Sequence, residues 1–240
     1  MRRARAYQAL LGLCVRMTLS LVDVSRIMLA SGSPRRQELL KLAGWEMAVL
    51  PAEVEEKARE HETGRELTRR LARSKAQATP SVHGAIVLAA DTIVVDGEEL
   101  LGKPVDSAEA RHMLERLRGR KHVVVTSLAL QTPDGTLVQD TCESTVSMRD
   151  YSQEEIDRYL ASGRPLDKAG AYGIQDGLFE PVEVSTFQDC FANVMGLPLC
   201  HVVRSLRRIG VEPKADVPAA CIAHTGYDCH VYPAILAGDA

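Results

Sequence analysis

The sequence predicts an α/β fold with a mixed central sheet flanked by helices. Segments with helical periodicity alternate with strand-like segments along the chain, which is typical of α/β proteins. The continuous apolar run Ala85–Ala90 has the length of a strand buried on both faces. Two pairs of neighbouring strands are joined by the turns Asp96-Gly97 and Pro133-Asp134-Gly135, and such short connections make antiparallel pairs.

The first half of the chain begins with a strand, a helix and a second strand, predicted at 27–30, 33–43 and 47–50. Ser33 is in an N-cap position, and Pro34 suits the first helical position because its missing N–H would have no partner there. Thr63 and Glu66 form a capping box for the next helix. The buried face predicted for that helix consists of Leu67, Leu71, Ser74 and Ala78. Strands at 85–90, 93–95 and 98–101 follow.

The second half is predicted to contain a helix capped by Asp106, two long strands at 122–131 and 136–147, and a helix capped by Ser152. A glycine-rich loop then leads to Pro198, which begins a last helix. We therefore expect one core domain over residues 26–210, preceded by an extension at 1–25 and followed by one at 211–240.

The composition is ordinary for a globular protein: 240 residues, 45% hydrophobic and 25% charged, with a net charge of −3. This charge does not favour a nucleic-acid partner. No apolar run is long enough for a transmembrane helix, so no membrane association is expected. The arginine-containing segment 1–16 resembles a weak signal peptide without a small-residue cleavage site, and a start codon placed too early explains it better.

The cysteines indicate a reduced environment. The chain has six of them, and none forms a Cys-x-x-Cys pair. We therefore expect a cytoplasmic protein. The tail between Cys221 and His230 holds two cysteines and two histidines, which leaves open a structural zinc site, plain packing or disorder.

Residues 31–36, Ser-Gly-Ser-Pro-Arg-Arg, indicate an oligophosphate site without a Walker lysine. The free N–H groups at a helix start attract anions. Arg35 and Arg36 add fixed positive charge that can fork onto phosphate oxygens. A capped surface helix with solvated arginines is the alternative interpretation.

Further charged residues fit the same chemistry. Asp91 follows the predicted buried strand, at a strand end where α/β proteins commonly bind ligands. Glu56 lies in an acidic loop, and Lys75 and Lys103 are basic residues that would, taken singly, be surface lysines. Together these acids and bases suit a Mg²⁺–triphosphate complex, in which the metal takes one or two protein carboxylates.

The run Asp167–Gln175, Asp-Lys-Ala-Gly-Ala-Tyr-Gly-Ile-Gln, could approach a ligand with its backbone because it is rich in small residues. Tyr172 could stack on a base, and the Gln175 amide has both a donor and an acceptor for a base edge. A plain glycine-rich turn between strands is the alternative.

These separated motifs together resemble the Maf (septum-formation-protein) family. The motifs are 31–36, 71–76, 90–92, 102–104, 167–175 and 196–198, and the resemblance covers about residues 27–209. It implies an inosine-triphosphatase-like fold with two lobes and a cleft between them. It also implies a nucleoside triphosphate pyrophosphatase, which uses a divalent metal cation (Mg²⁺ or Mn²⁺) to release pyrophosphate. The stretch 176–190 differs from the usual glycine-rich form of the family.

The resemblance also implies roles for individual residues. The predicted catalytic residues are Asp91, Glu56, Lys75 and Lys103, of which Asp91 and Glu56 would also bind the metal. The predicted substrate-binding residues are Ser31, Arg35, Arg36, Thr92, Lys168 and Gln175. Within this set, Arg35, Thr92 and Gln175 match positions tied to base selectivity and resemble the branch that acts on dTTP and UTP.

Two other functions stay open at this point. One is a nucleotide-binding regulator of cell division without turnover. The other is a pyrophosphatase for a modified purine such as 7-methyl-GTP. The expected partner is a nucleoside triphosphate in each case, and a homodimer is compatible with the sequence.

Overall fold

A mixed sheet forms the centre of the computed structural model, which describes residues 26–238. The predicted extension 1–25 lies outside the described residues. The strands are β1 (Arg26–Leu29), β2 (Glu46–Val49), β3 (Ile86–Asp96), β4 (Glu99–Leu101), β5 (Lys121–Gln131) and β6 (Leu137–Ser147). Their order is β2-β1-β3-β5-β6, with β4 paired to β3. β1 runs parallel to β2 and β3, and the remaining pairs are antiparallel. The mixed α/β sheet is thereby confirmed.

Helices cover the sheet. They are α1 (Pro34–Lys41), α2 (Gly64–Ala78), α3 (Ser107–Leu117), α4 (Gln153–Ala161), α5 (Phe191–Met195), α6 (Leu199–Arg207), α7 (Val217–Thr225) and α8 (Tyr232–Ala237). Short 3-10 turns lie at Arg164–Asp167, Ala169–Ala171 and Val184–Thr186. In residues 26–238, no helix is long and apolar enough to cross a membrane.

The predicted caps are confirmed. Ser33 accepts from the Arg36 N–H at the start of α1, and Pro34 is the first residue of that helix. Capping boxes begin α2 at Thr63 and α4 at Ser152. Each cap fixes a helix start because its side chain binds N–H groups that have no partner within the helix.

Strand β3 differs from its prediction. It continues without interruption from Ile86 to Asp96, so Asp91 lies in the middle of a strand and not at its end. The reason is that Asp91 pairs in register with Ser127 of β5, within a ladder that extends along the strand. The turn after β3 is also shifted by one residue, since Gly97 and Glu98 separate the paired residues Asp96 and Glu99.

The buried face of α2 is partly different from the prediction. Leu67 and Leu71 are buried as expected, but Lys75 is buried too, whereas Ser74 and Ala78 are not. Taken singly, Lys75 was interpreted as a surface lysine, whereas the structure buries it. Its ammonium reaches a carboxylate on β3, which compensates the cost of its burial.

The segment after α6 packs on the core. Val217 and Ile235 belong to the main hydrophobic cluster, and the Trp45 indole donates to the Glu212 carbonyl at 3.1 Å. Residues 26–238 contain no group of three or more His, Cys, Asp or Glu side chains that could hold a metal ion. The five cysteines in this part of the chain are free thiols.

Candidate active site

One cleft of about 510 Å³ brings the sequence-predicted site residues together. Segments 31–36, 91–94, 167–175 and 194–196 contribute to its lining, together with side chains from α2 and from the loops before it and after β4. All ten predicted residues line this cleft: Ser31, Arg35, Arg36, Glu56, Lys75, Asp91, Thr92, Lys103, Lys168 and Gln175.

Lys75 links the two acidic residues of the cleft. Its Nζ lies 2.6 Å from Oδ1 of Asp91 and 2.6 Å from Oε1 of Glu56. Asp91 and Lys75 are buried, whereas the Glu56 side chain is about half exposed. The cluster therefore has one buried and one solvent-facing carboxylate, both paired with the same ammonium.

The two carboxylates titrate differently because their surroundings differ. Burial raises the pKa of Asp91, and the charges of Lys75 and Arg36 offset this only in part. Burial also acts to raise the pKa of Glu56, but the hydrogen bond and charge of Lys75, with Lys103 and Arg36, lower it below its usual value. Paired groups whose pKa values are displaced in opposite directions are suited to different proton-transfer roles.

Arg36 is held by three contacts. Its Nε donates to the Gly196 carbonyl at 2.8 Å, and its two terminal nitrogens donate to Ser31 Oγ at 3.2 Å and to Thr92 Oγ1 at 3.0 Å. Thr92 Oγ1 is in turn 2.9 Å from Thr126 Oγ1. The guanidinium is therefore fixed in orientation before any ligand enters, which lowers the entropic cost of binding an anion.

Arg35 contacts the opposite wall of the cleft. It donates through Nη1 to Oδ2 of Asp167 at 2.6 Å and through Nη2 to the Asp167 carbonyl at 3.0 Å. Oδ1 of Asp167 lies 2.7 Å from Nζ of Lys168. Burial acts to raise the pKa of Asp167, but Lys168 and Arg35 hold it below its usual value. One carboxylate thus connects two cationic residues that the sequence assigns to substrate binding.

The backbone of the glycine-rich run 167–175 lies close to strand β3 at Gly170. A Cβ on Gly170 would lie 2.8 Å from Cγ2 of Val94 in β3, and its φ is +67°. Tyr172 is buried, and its hydroxyl lies 2.7 Å from Nε2 of His122. Gln175 is exposed in the cleft, so its amide is free to meet a ligand.

Asp91 and Glu56 have the donor chemistry for a divalent cation. Lys75 occupies only one oxygen of each carboxylate, and carboxylate oxygens are preferred ligands of Mg²⁺. Two protein carboxylates are also the number that Mg²⁺ usually takes when phosphates and water complete its shell. The residues present therefore fit the expected metal.

Several residues in and behind the cleft were not predicted from the sequence. Asp167 was quoted in its motif but given no role, and the Gly196 carbonyl was not recognised as a partner of Arg36. Asn193 was not noticed at all. Its amide donates to the Val124 carbonyl at 3.0 Å and to Ser144 Oγ at 2.9 Å, which anchors α5 behind the cleft. Its only sequence signal is a polar residue within an apolar segment.

The fold and the cleft define an α/β protein with a cleft in which five cationic side chains face three carboxylates. Residues 26–209 match the family model described as Maf-like protein, and the chain belongs to this family. The resemblance inferred from the motifs is thereby confirmed.

Curated relatives are similar over most of the chain. The chain is 43% identical over 190 residues to the dTTP/UTP pyrophosphatase of Dehalococcoides mccartyi, covering 78% of this chain and 84% of that protein. It is 43% identical over 197 residues to the dTTP/UTP pyrophosphatase of Hahella chejuensis, covering 80% and 96% respectively. Among solved structures, a HAM1 protein from Coxiella burnetii matches with a TM-score of 0.38 and 19% identity, over 53% of this chain and 75% of that one.

Proposed function

We propose that this protein is a nucleoside triphosphate pyrophosphatase that hydrolyses dTTP and UTP to the monophosphate and pyrophosphate. The observation that carries the proposal is the buried Asp91, paired with Lys75 in a cleft that also contains four further cationic side chains. The curated relatives that match most of the chain have this activity in their names.

The cationic residues bind and orient the phosphates. Arg36 is fixed by its three contacts and presents its charge to the cleft in one orientation. Arg35, Lys103 and Lys168 line the same cleft. These side chains neutralise the charge that develops on the leaving pyrophosphate when water attacks the α-phosphorus.

Asp91 accepts the proton of the attacking water. Its raised pKa supports this role, since a general base works best when its pKa lies nearer to the working pH. Lys75 keeps the carboxylate ionised and in place. Asp91 and Glu56 would also hold the Mg²⁺ or Mn²⁺ ion, and a bound cation supplies charge screening and polarises the phosphate oxygens.

Base selection is assigned to Arg35, Thr92 and Gln175, as the resemblance implies. The exposed Gln175 amide supports a direct contact with the base edge. Thr92 already contacts Arg36 and Thr126, so it acts by shaping the wall of the cleft. We further propose that the protein works in the cytoplasm, which the free thiols in residues 26–238 support.

The test is pyrophosphate release by the purified protein with Mg²⁺ from dTTP, UTP, CTP, GTP, ATP and 7-methyl-GTP. We expect release mainly from dTTP and UTP. Preference for a purine would keep the reaction but contradict the base assignment. Binding without release from any of the six would favour a regulator of cell division that does not turn nucleotides over.

A further inference from the structure

The C-terminal segment, residues 211–238, reaches the back of the cleft wall that Gln175, Met195 and Gly196 form. The family match ends at residue 209, and α7 and α8 lie beyond it. Tyr227, two residues after α7, donates through its hydroxyl to the Phe187 carbonyl at 2.8 Å. Its ring also stacks on Phe191 with centroids 5.4 Å apart and meets Phe187 edge-on at 5.4 Å. These three rings form an aromatic cluster, Phe187–Phe191–Tyr227.

The aromatic cluster adjoins residues that line the cleft. Phe191 is the first residue of α5, which has only five residues. Met195 at its end lines the cleft, and the next residue, Gly196, accepts the hydrogen bond from Arg36. Phe187 belongs to the 176–190 loop, which directly follows Gln175. Tyr227 thus contacts both α5 and the 176–190 loop, the two segments that adjoin this wall.

The wall is also supported by Asn193 of α5, whose amide donates to the Val124 carbonyl and to Ser144 Oγ. A second cavity of about 720 Å³ lies behind it, lined by His224 and Tyr227 of the C-terminal segment. Gln175 and Met195 line this cavity as well as the cleft. A wall with a cavity on each side has fewer packing atoms around it, so each contact at its ends contributes more to its position.

We propose that Tyr227 is a positioning residue for the active site, which holds the Gln175 and Met195–Gly196 wall through the aromatic cluster. It acts through its neighbours and does not touch the substrate. Offset and edge-on aromatic pairs are directional, so they fix the angle of α5 as well as its distance from the C-terminal segment. This inference rests on the proposed function only for its kinetic readout.

The first test compares Tyr227→Phe and Tyr227→Ala with Ile235→Ala as the matched control. Ile235 is buried in the C-terminal segment, in which Tyr227 is partly buried, and it lies on α8 outside the aromatic cluster. All assays run well below each variant's unfolding temperature. We expect Tyr227→Ala to raise KM for dTTP about tenfold with a smaller change in kcat, since two ring contacts and one hydrogen bond are lost. Tyr227→Phe keeps the rings and should restore most of the affinity.

The second test does not depend on activity. Amide hydrogen exchange in residues 191–196 should become faster in Tyr227→Ala and remain near the wild-type rate in Ile235→Ala. An unchanged exchange rate in Tyr227→Ala, or equal KM increases in Tyr227→Ala and Ile235→Ala, would overturn the inference. If the wild-type protein releases no pyrophosphate, the proposed function fails, and the exchange result still decides the role of Tyr227.

Discussion

Arg35 and Asp167 close an ion pair across the cleft at 2.6 Å, although they are 132 positions apart in the chain. The Arg35 side chain is mostly buried, whereas that of Asp167 is about half exposed. Asp167 also neutralises part of the charge of Lys168. A substrate phosphate that approaches Arg35 or Lys168 must therefore compete with this carboxylate.

Asp167→Asn should strengthen the binding of pyrophosphate about threefold. The variant removes a negative charge beside Arg35 and Lys168, which we propose bind phosphate, and a partly exposed ion pair is worth under about 1 kcal/mol. Inhibition by added pyrophosphate measures the effect. Asp157→Asn is the control, because Asp157 pairs with Arg111 outside the cleft. Unchanged or weaker inhibition by pyrophosphate in Asp167→Asn would show that Asp167 does not compete with phosphate for Arg35 and Lys168.

Asp91→Asn should lower kcat at least about a hundredfold while the fold is retained, since a general base contributes about that much. The amide oxygen still accepts from Lys75, and Glu56 remains paired with the same ammonium. Pyrophosphate release and circular dichroism are the measurements. Asp96→Asn is the control, because Asp96 is equally buried in β3 but pairs with Arg116 outside the cleft. Near-normal turnover in Asp91→Asn would exclude it as both base and metal ligand.

The acidic limb of the pH–rate profile should lie above the ordinary carboxyl pKa of about 3.9. Burial raises the pKa of Asp91, so activity falls as pH decreases through that raised value. Lys75 opposes the increase, and Lys75→Met should move the limb to still higher pH. Lys75→Arg keeps the charge and should leave the limb near its wild-type position. If the acidic limb lay at the same pH in the wild type and in Lys75→Met, the pKa of Asp91 would not control the pH–rate profile.

Glu62 should stabilise the protein only above strongly acidic pH. Arg70 binds both oxygens of Glu62, at 2.6 and 2.7 Å, and this contact lowers the pKa of Glu62 to about 2. A lowered carboxyl pKa gives stability that is present above the ordinary value of about 4.3 and is lost as pH falls toward 2. Glu62→Gln should remove about 1 kcal/mol at pH 7 and little at pH 2. Urea unfolding of this variant and of the exposed Glu60→Gln at both pH values is the comparison.

His122 should destabilise the folded protein as pH decreases from about 6.5 to about 4. Burial lowers its pKa to about 4, and Nδ1 is buried without a hydrogen-bond partner among the described residues. The unfolded chain takes up a proton near pH 6.5, whereas the folded chain does so only near pH 4. The free energy of unfolding therefore falls by about 3 kcal/mol as pH decreases across that interval. His122→Gln should flatten this part of the curve, whereas the exposed His112→Gln should not. A curve that remains steep in His122→Gln would refute the assignment.

Helix starts were predictable because their determinants are local, whereas the turn after β3 is shifted by one residue. The Thr63–Glu66 and Ser152–Glu155 capping boxes join groups three residues apart, and they satisfy N–H groups at the helix start. The apolar run 85–90 is fully buried as its composition indicates. The motif set also indicated the family, which the match over residues 26–209 confirms.

The sequence by itself determined the elements and the residue types of the cleft, whereas only the tertiary structure decided which of them meet. Asp91 lies within a strand because it pairs with Ser127 of β5, and Lys75 of α2, 16 positions earlier in the chain, compensates its buried charge. Lys75 follows Leu67 and Leu71 at helical spacing, but nothing in the sequence identifies the carboxylate that compensates its burial. Likewise, nothing near Arg35 indicates Asp167. The contacts of Tyr227 likewise depend on Phe187 and Phe191, which precede it by 40 and 36 positions. Caps and periodicity act within a few residues, but ion pairs and ring contacts depend on distances that are set only when the sheet and helices pack.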